Sequence, residues 1–95
     1  MKYLIDGKKY DDEKSELLYR RGTPGALFAE NALVSIYKST KGTVWARMTY
    51  WVSDARMVET LVAGEDAVRK LIEQYFPYNI KCTALEAVFG EVEEG

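Results

Sequence analysis

Two runs of β-branched and aromatic residues, separated by a short stretch with a single glycine, constrain this chain more than any other feature. Leu33-Val34-Ser35-Ile36-Tyr37-Lys38 precedes the break and Val44-Trp45-Ala46-Arg47-Met48-Thr49-Tyr50-Trp51-Val52 follows it, with Ser39-Thr40-Lys41-Gly42-Thr43 between them. Such runs favour strands, and a three-residue loop ending in glycine at positive φ closes a hairpin through a G1 bulge. The expected register sets Ser39 against Thr43, Tyr37 against Trp45, Ser35 against Arg47 and Val34 against Met48. Alternation then sorts the residues onto two faces. One carries Val34, Ile36, Val44, Ala46, Met48, Tyr50 and Val52, apolar apart from Lys38. The other carries Leu33, Ser35, Tyr37, Trp45, Arg47, Thr49 and Trp51.

The second face admits two readings. Large aromatics in a small domain are usually buried, so Trp45 and Trp51 could be core beneath a cover. Trp, Tyr and Arg are also the residues enriched at interface hot spots, so the face could be a contact surface. The chain offers too few helices to cover both sides of a sheet. The expectation is therefore a partly exposed face that contacts a partner through Tyr37, Lys38, Lys41, Trp45, Arg47 and Trp51.

Around this hairpin the local signals are uneven. Tyr3 to Tyr10 contains Asp6-Gly7, a two-residue type I′ turn signal that sets Ile5 against Lys8 and Tyr3 against Tyr10. Asp11-Asp12-Glu13-Lys14-Ser15-Glu16 has the composition of a helix cap and predicts a turn or two of helix; Leu17 to Arg21 ends that helix or forms a short strand, with helix passing into strand the favoured reading. A divalent-cation site is the other reading of these acids, but they lack the alternation and glycine of a calcium loop. Gly22-Thr23-Pro24-Gly25 reads as a break. Ala26 to Ala32 fits strand, helix or loop. Met57 to Val62 is β-branched enough for a strand, with a helix capped by Asp54 as the competitor.

Glu65 to Phe76 is the clearest helix. Val68, Leu71, Ile72, Tyr75 and Phe76 form one apolar stripe, Glu65 and Asp66 occupy the electropositive first turn, and Pro77 stops it. Its stripe is expected on the Val34, Ile36, Ala46 and Met48 face. Tyr78 to Cys82 reads as a connector, followed by a capping box with Thr83 as N-cap and Glu86 at N3, a short helix, and Gly90 at C′. Glu91 to Gly95 is an acidic tail. The expected fold class is α+β in a single domain of residues 1–95: a small antiparallel sheet centred on the 33–52 hairpin, a helix at 65–76 on one face, and a short C-terminal helix.

Composition narrows the chemistry. The chain has no histidine, which removes the commonest general base, the Ser/His and Cys/His dyads, and every His-based metal site. Cys82 is the only cysteine, so no internal disulfide forms, which suits a reducing cytoplasm. Its position beside Lys81 and ahead of the Thr83 helix would favour a thiolate; a small, partly buried hydrophobe is the plainer reading. No glycine-rich phosphate loop is present, and nothing selects one acid pair among fifteen acidic residues. No catalytic residue, metal site or cofactor is expected, and the chain reads as non-enzymatic. No apolar run approaches a membrane span, and the opening residues are too short and polar for a signal peptide.

Charge is uneven. Residues 1–50 hold nine Lys/Arg against six Asp/Glu and residues 51–95 four against nine, so +3 and −5 make up the net −2. That balance argues against bulk attraction to nucleic acid.

The segments Gly7-Lys8-Lys9-Tyr10-Asp11-Asp12-Glu13-Lys14-Ser15-Glu16-Leu17-Leu18 and Ile36-Tyr37-Lys38-Ser39-Thr40-Lys41-Gly42 resemble a pattern in small orphan proteins of phages and mobile elements of Gram-positive bacteria. The helix at Glu65 followed by a short helix and an acidic tail is similar too. The chain departs from the pattern after Met48, where Tyr50-Trp51-Val52 replaces a more polar, glycine-rich continuation. The resemblance implies a host-cell cytoplasm and a small protein that binds and blocks a host protein or complex, CRISPR nucleases among the frequent targets. It carries over no functional residue. A homodimer is admitted. The alternative partner is nucleic acid, with Lys38, Lys41, Arg47, Arg20 and Arg21 on phosphates and Trp45, Trp51 or Tyr37 stacked on bases.

Overall fold

The computed structural model describes residues 1–26, 29–53, 56–76 and 78–90, with side chains described for 1–21, 33–50, 56–76 and 80–90. Six strands precede two helices: β1 (Lys2–Ile5), β2 (Lys8–Asp11), β3 (Glu16–Ala26), β4 (Ala29–Lys38), β5 (Val44–Ser53), β6 (Arg56–Ala63), α1 (Glu65–Tyr75) and α2 (Tyr78–Phe89). β3 to β6 form an antiparallel meander in the order β3-β4-β5-β6, and β1 and β2 form a separate hairpin. This is the expected α+β class, with a larger sheet than the central hairpin alone.

The two turn signals fold as their chemistry dictates. Asp6 and Gly7 both take positive φ, 51° and 77°, as a type I′ turn requires, and Tyr3 pairs with Tyr10. At the β4–β5 loop Gly42 has φ 88°, its N–H donates to Ser39 O at 2.9 Å, and Ser39 N–H donates to Thr43 O at 2.8 Å. Ser39 Oγ accepts the Thr43 N–H at 3.0 Å as well. From Val34↔Met48 to Lys38↔Val44 the strand register is the expected one.

Helices cover one face of the meander. Val34, Ile36, Ala46 and Met48 meet Val68, Leu71, Ile72 and Phe76 of the α1 segment and Ala84 and Leu85 of α2 in one buried cluster. Burial at ~25 cal/mol per Å² makes this cluster the main source of stability.

Four expectations need correction. Residues 11–16 hold a turn, with Lys14 N–H donating to Asp11 O, and Glu16 to Arg21 is strand throughout, without helix. Acidic cap chemistry starts a helix only if an apolar stripe follows, and here the following residues pair with β4 instead. Gly22-Thr23-Pro24-Gly25 does not break the chain: Gly22, Thr23 and Pro24 pair with Leu33, Ala32 and Asn31. β3 is an edge strand, where a sheet tolerates Pro and Gly. Residues 29–32 belong to β4, while 27 and 28 lie outside the described residues. Finally, α2 begins at Tyr78, so the stretch taken as a connector is helical and Thr83 is no N-cap. Starting five residues earlier adds Ile80 to the contacts of Ala84 and Val88 on the core. β6 is the strand, not the competing helix; Asp54 lies outside the described residues, as does the acidic tail.

Candidate functional site

The β1–β2 hairpin packs on part of the other face of the meander, around Trp45. Its inward residues Tyr3, Ile5 and Tyr10 close over Trp45, which is fully buried, with Tyr37, Leu61 and Ala63 at the margin. Tyr37 stacks on the Trp45 ring at 4.6 Å between centroids, and Tyr10 and Tyr3 approach it at 5.5 and 5.7 Å. The indole Nε1–H donates to Ser15 Oγ at 3.1 Å, and that hydroxyl donates to Asp11 O at 2.7 Å. Every polar atom of the indole is thus satisfied inside the protein.

The aromatic-basic face is therefore no single contact surface. Trp45 is core, which overturns its assignment as a partner contact; the cover that helices could not supply is a two-stranded sheet. Tyr37 and Arg47 are half-buried. Arg47 Nε donates to Glu59 Oε2 at 2.7 Å across β5 and β6, and its guanidinium lies 5.4 Å from the Tyr3 ring centre. Both contacts hold it to the molecule rather than offer it outward. Lys38 is exposed but lies at the strand end on the helix side, away from the hairpin. Trp51 pairs through its backbone with Met57, and its side chain lies outside those described.

Docking the hairpin builds a different feature. Between β2 and the β4–β5 loop lies an open cleft of about 430 Å³ lined by Lys8, Lys9, Tyr10, Ser39, Thr40, Lys41 and Thr43. A second of about 270 Å³ shares Lys9, Tyr10, Ser39 and Thr40 with it and adds Lys2, Asp11, Lys14 and Ser15. The two form one groove. Lys2, Lys8, Lys9, Lys14 and Lys41 are all exposed, and among the described residues none of them makes an ion pair. Asp11 is the only carboxylate in the lining, and its Oδ1 accepts the Glu13 N–H at 3.0 Å. Five point charges with the hydroxyls of Ser15, Ser39, Thr40 and Thr43 among them, beside Tyr10, suit anionic groups.

Of the residues singled out from sequence, only Lys41 lines this groove. Lys2, Lys8, Lys9 and Lys14 were missed, because their convergence depends on where the hairpin docks. The available signal was the unsatisfied apolar side of that hairpin, Tyr3, Ile5 and Tyr10, which needed a face as much as Trp45 needed a cover.

Among the described residues no three His, Cys, Asp or Glu side chains gather as a metal site, and no helix is long and apolar enough to cross a membrane. Cys82 is exposed within α2, so it is neither at a helix N-terminus nor the partly buried hydrophobe expected from sequence. Comparison with protein-family models, curated proteins and solved structures finds no match.

Proposed function

We propose that this protein is a non-enzymatic binding module that docks an acidic protein surface through the lysine-lined groove. The observation that carries the reading is the convergence of five unpaired lysines, from β1, β2, the turn after β2 and the β4–β5 loop, on a cleft with one carboxylate. Unpaired like charges repel one another, and an anionic partner turns that repulsion into attraction and faster encounter. Nucleic acid is the weaker reading on two grounds. One of its three stacking candidates, Trp45, is sealed under the hairpin, and the groove lining holds no arginine for bidentate contacts to bases. The resemblance to small phage and mobile-element proteins makes a host defence complex in the bacterial cytoplasm the first partner to test, with the protein as its inhibitor.

The test is an amide-shift titration of the intact chain with an oligoglutamate peptide and, separately, a single-stranded oligonucleotide. Peptide-induced shifts at Lys8, Lys9 and Lys41 that fade as salt rises are expected. The Lys9→Glu, Lys41→Glu variant should lose them while its melting temperature barely moves, since exposed substitutions stay within ~0.5 kcal/mol. Base-dependent oligonucleotide binding at the groove with no response to the peptide would replace the protein-partner reading by the nucleic-acid one. A purified CRISPR effector whose cleavage is unaffected by excess protein would remove that target alone.

A further inference from the structure

The two edges of the meander differ in kind. β3 carries the devices by which natural sheets protect an edge: a bulge between Leu17 and Tyr19, exposed Arg20 and Arg21, and Gly22, Pro24 and Gly25. β6 at the other edge is less protected: its only charges are Arg56 at the strand end and Glu59, which is tied to Arg47. It reads Arg56-Met57-Val58-Glu59-Thr60-Leu61-Val62-Ala63, without proline, glycine or bulge between Met57 and Ala63. Five of its eight residues are Met, Val, Leu or Ala, yet not one of the eight is buried. Such a strand has the composition of a sheet interior and the position of a rim.

The hydrogen-bonding direction of this edge follows from the register. Gly64 N–H donates to Val44 O at 2.8 Å, so Val44 and Gly64 flank the ladder as a hydrogen-bonded position. Alternate positions along Ala46↔Val62, Met48↔Thr60 and Tyr50↔Val58 are then of the same type. The N–H and C=O groups of Val58, Thr60 and Val62 point to β5. Those of Met57, Glu59, Leu61 and Ala63 point outward, where the sheet order supplies no neighbour.

We infer that β6 pairs antiparallel with β6 of a second copy, joining two meanders into one eight-stranded sheet about a two-fold axis at Thr60. The register is fixed by self-complementarity. With the axis at Thr60, Met57 meets Ala63 of the second copy and Glu59 meets its Leu61, so all four outward residues of each strand find partners. Moving the axis to Glu59 sets two glutamates face to face, which is destabilising, and leaves Ala63 outside the ladder. Moving it to Leu61 leaves Met57 unpaired. At Thr60 the central pair is Thr against Thr with Val58 against Val62 beside it, both favourable cross-strand neighbours. An antiparallel two-fold runs perpendicular to the sheet. Both β1–β2 hairpins, and with them both lysine grooves, therefore lie on one side of the dimer.

Light scattering on the intact chain, from micromolar to about 1 mM, should give twice the chain mass at the upper end, where even a millimolar contact is populated. A monomer throughout that range overturns the inference whatever any variant does, including the outcome in which β6 captures an extended peptide of another protein instead. If the dimer forms, Thr60→Cys in a Cys82→Ser background should oxidise to a covalent dimer. Thr60 and its copy form a non-hydrogen-bonded pair with Cα atoms ~4.5 Å apart, within disulfide reach. Met57→Pro removes one outward N–H and leaves the β5 ladder intact, so it should weaken the dimer at least tenfold. A folded Thr60→Cys protein that dimerises without cross-linking, or Met57→Pro with unchanged dimerisation, would assign the contact to another surface.

Discussion

Trp45 is the residue at which burial and recognition compete, and burial wins. A ring without exposure, stacked on Tyr37 and hydrogen-bonded through Nε1 to Ser15, contributes its whole apolar area to the fold. Trp45→Ala should therefore cost about 3–5 kcal/mol by urea titration, and any loss of partner binding in that variant should follow the loss of fold. A variant that keeps its stability and loses only binding would restore Trp45 to the interface. Tyr3, in the same cluster, makes a second residue-level prediction. Burial pushes its phenol above the usual tyrosine value near 10, with the Arg47 cation opposing the shift. The folded state then binds the phenolic proton more tightly than the unfolded chain does. The contribution is fully present below pH 10 and falls away as pH climbs through the folded value. Tyr3→Phe, which has no proton to lose, should flatten the alkaline decline of stability relative to the parent; an identical decline in both proteins would show that Tyr3 ionises as freely folded as unfolded.

Among the elements, those specified by neighbours in sequence were legible and those specified across the fold were not. Asp6-Gly7 and Gly42 announce their hairpins because only a few residue types take positive φ without cost, and α1 announces itself by an apolar stripe between Gly64 and Pro77. β3 gives the opposite signal locally, since Gly22-Thr23-Pro24-Gly25 has the chemistry of a turn. Its extended state comes from pairing with β4 at the rim of the sheet, which no window of β3 contains. α2 is subtler. Thr83 and Glu86 match a capping box, yet Phe76 is extended at φ −89° and ψ 142° and the helix starts at Tyr78. Thr83 is thereby an exposed residue in mid-helix, a position where alanine has the better propensity. Thr83→Ala should leave the melting temperature unchanged or raise it slightly. A loss of ~1 kcal/mol, the usual cost of removing a Thr cap, would mean that the helix begins at Thr83 after all.

At the scale of the whole molecule the fold is three layers, helices, meander and hairpin, and the layers are unequal. The helix layer shares ten buried residues with the sheet, whereas the β1–β2 hairpin contributes only Tyr3, Ile5 and Tyr10 to the cluster around Trp45. Its strands have four residues each, and a two-stranded hairpin is marginal without packing. Local opening follows such differences in buried area, so the hairpin should open more often than the strands beneath it. Native-state hydrogen exchange on the free protein should show β1 and β2 amides exchanging well before those of Val34, Ile36, Ala46 and Met48. The groove exists only while the hairpin is docked, because Lys2, Lys8, Lys9 and Lys14 come from the hairpin side and Lys41 from the β4–β5 loop. A ligand in the groove therefore binds the closed form alone and stabilises it by mass action, by ~2.7 kcal/mol at a hundredfold excess over Kd. With oligoglutamate bound, exchange of the β1–β2 amides should slow by up to two orders of magnitude while the core of the meander is unaffected. Hairpin amides as protected as β4 and β5 in the free protein, or unresponsive to a peptide that demonstrably binds, would mean that the groove is not assembled by docking the hairpin.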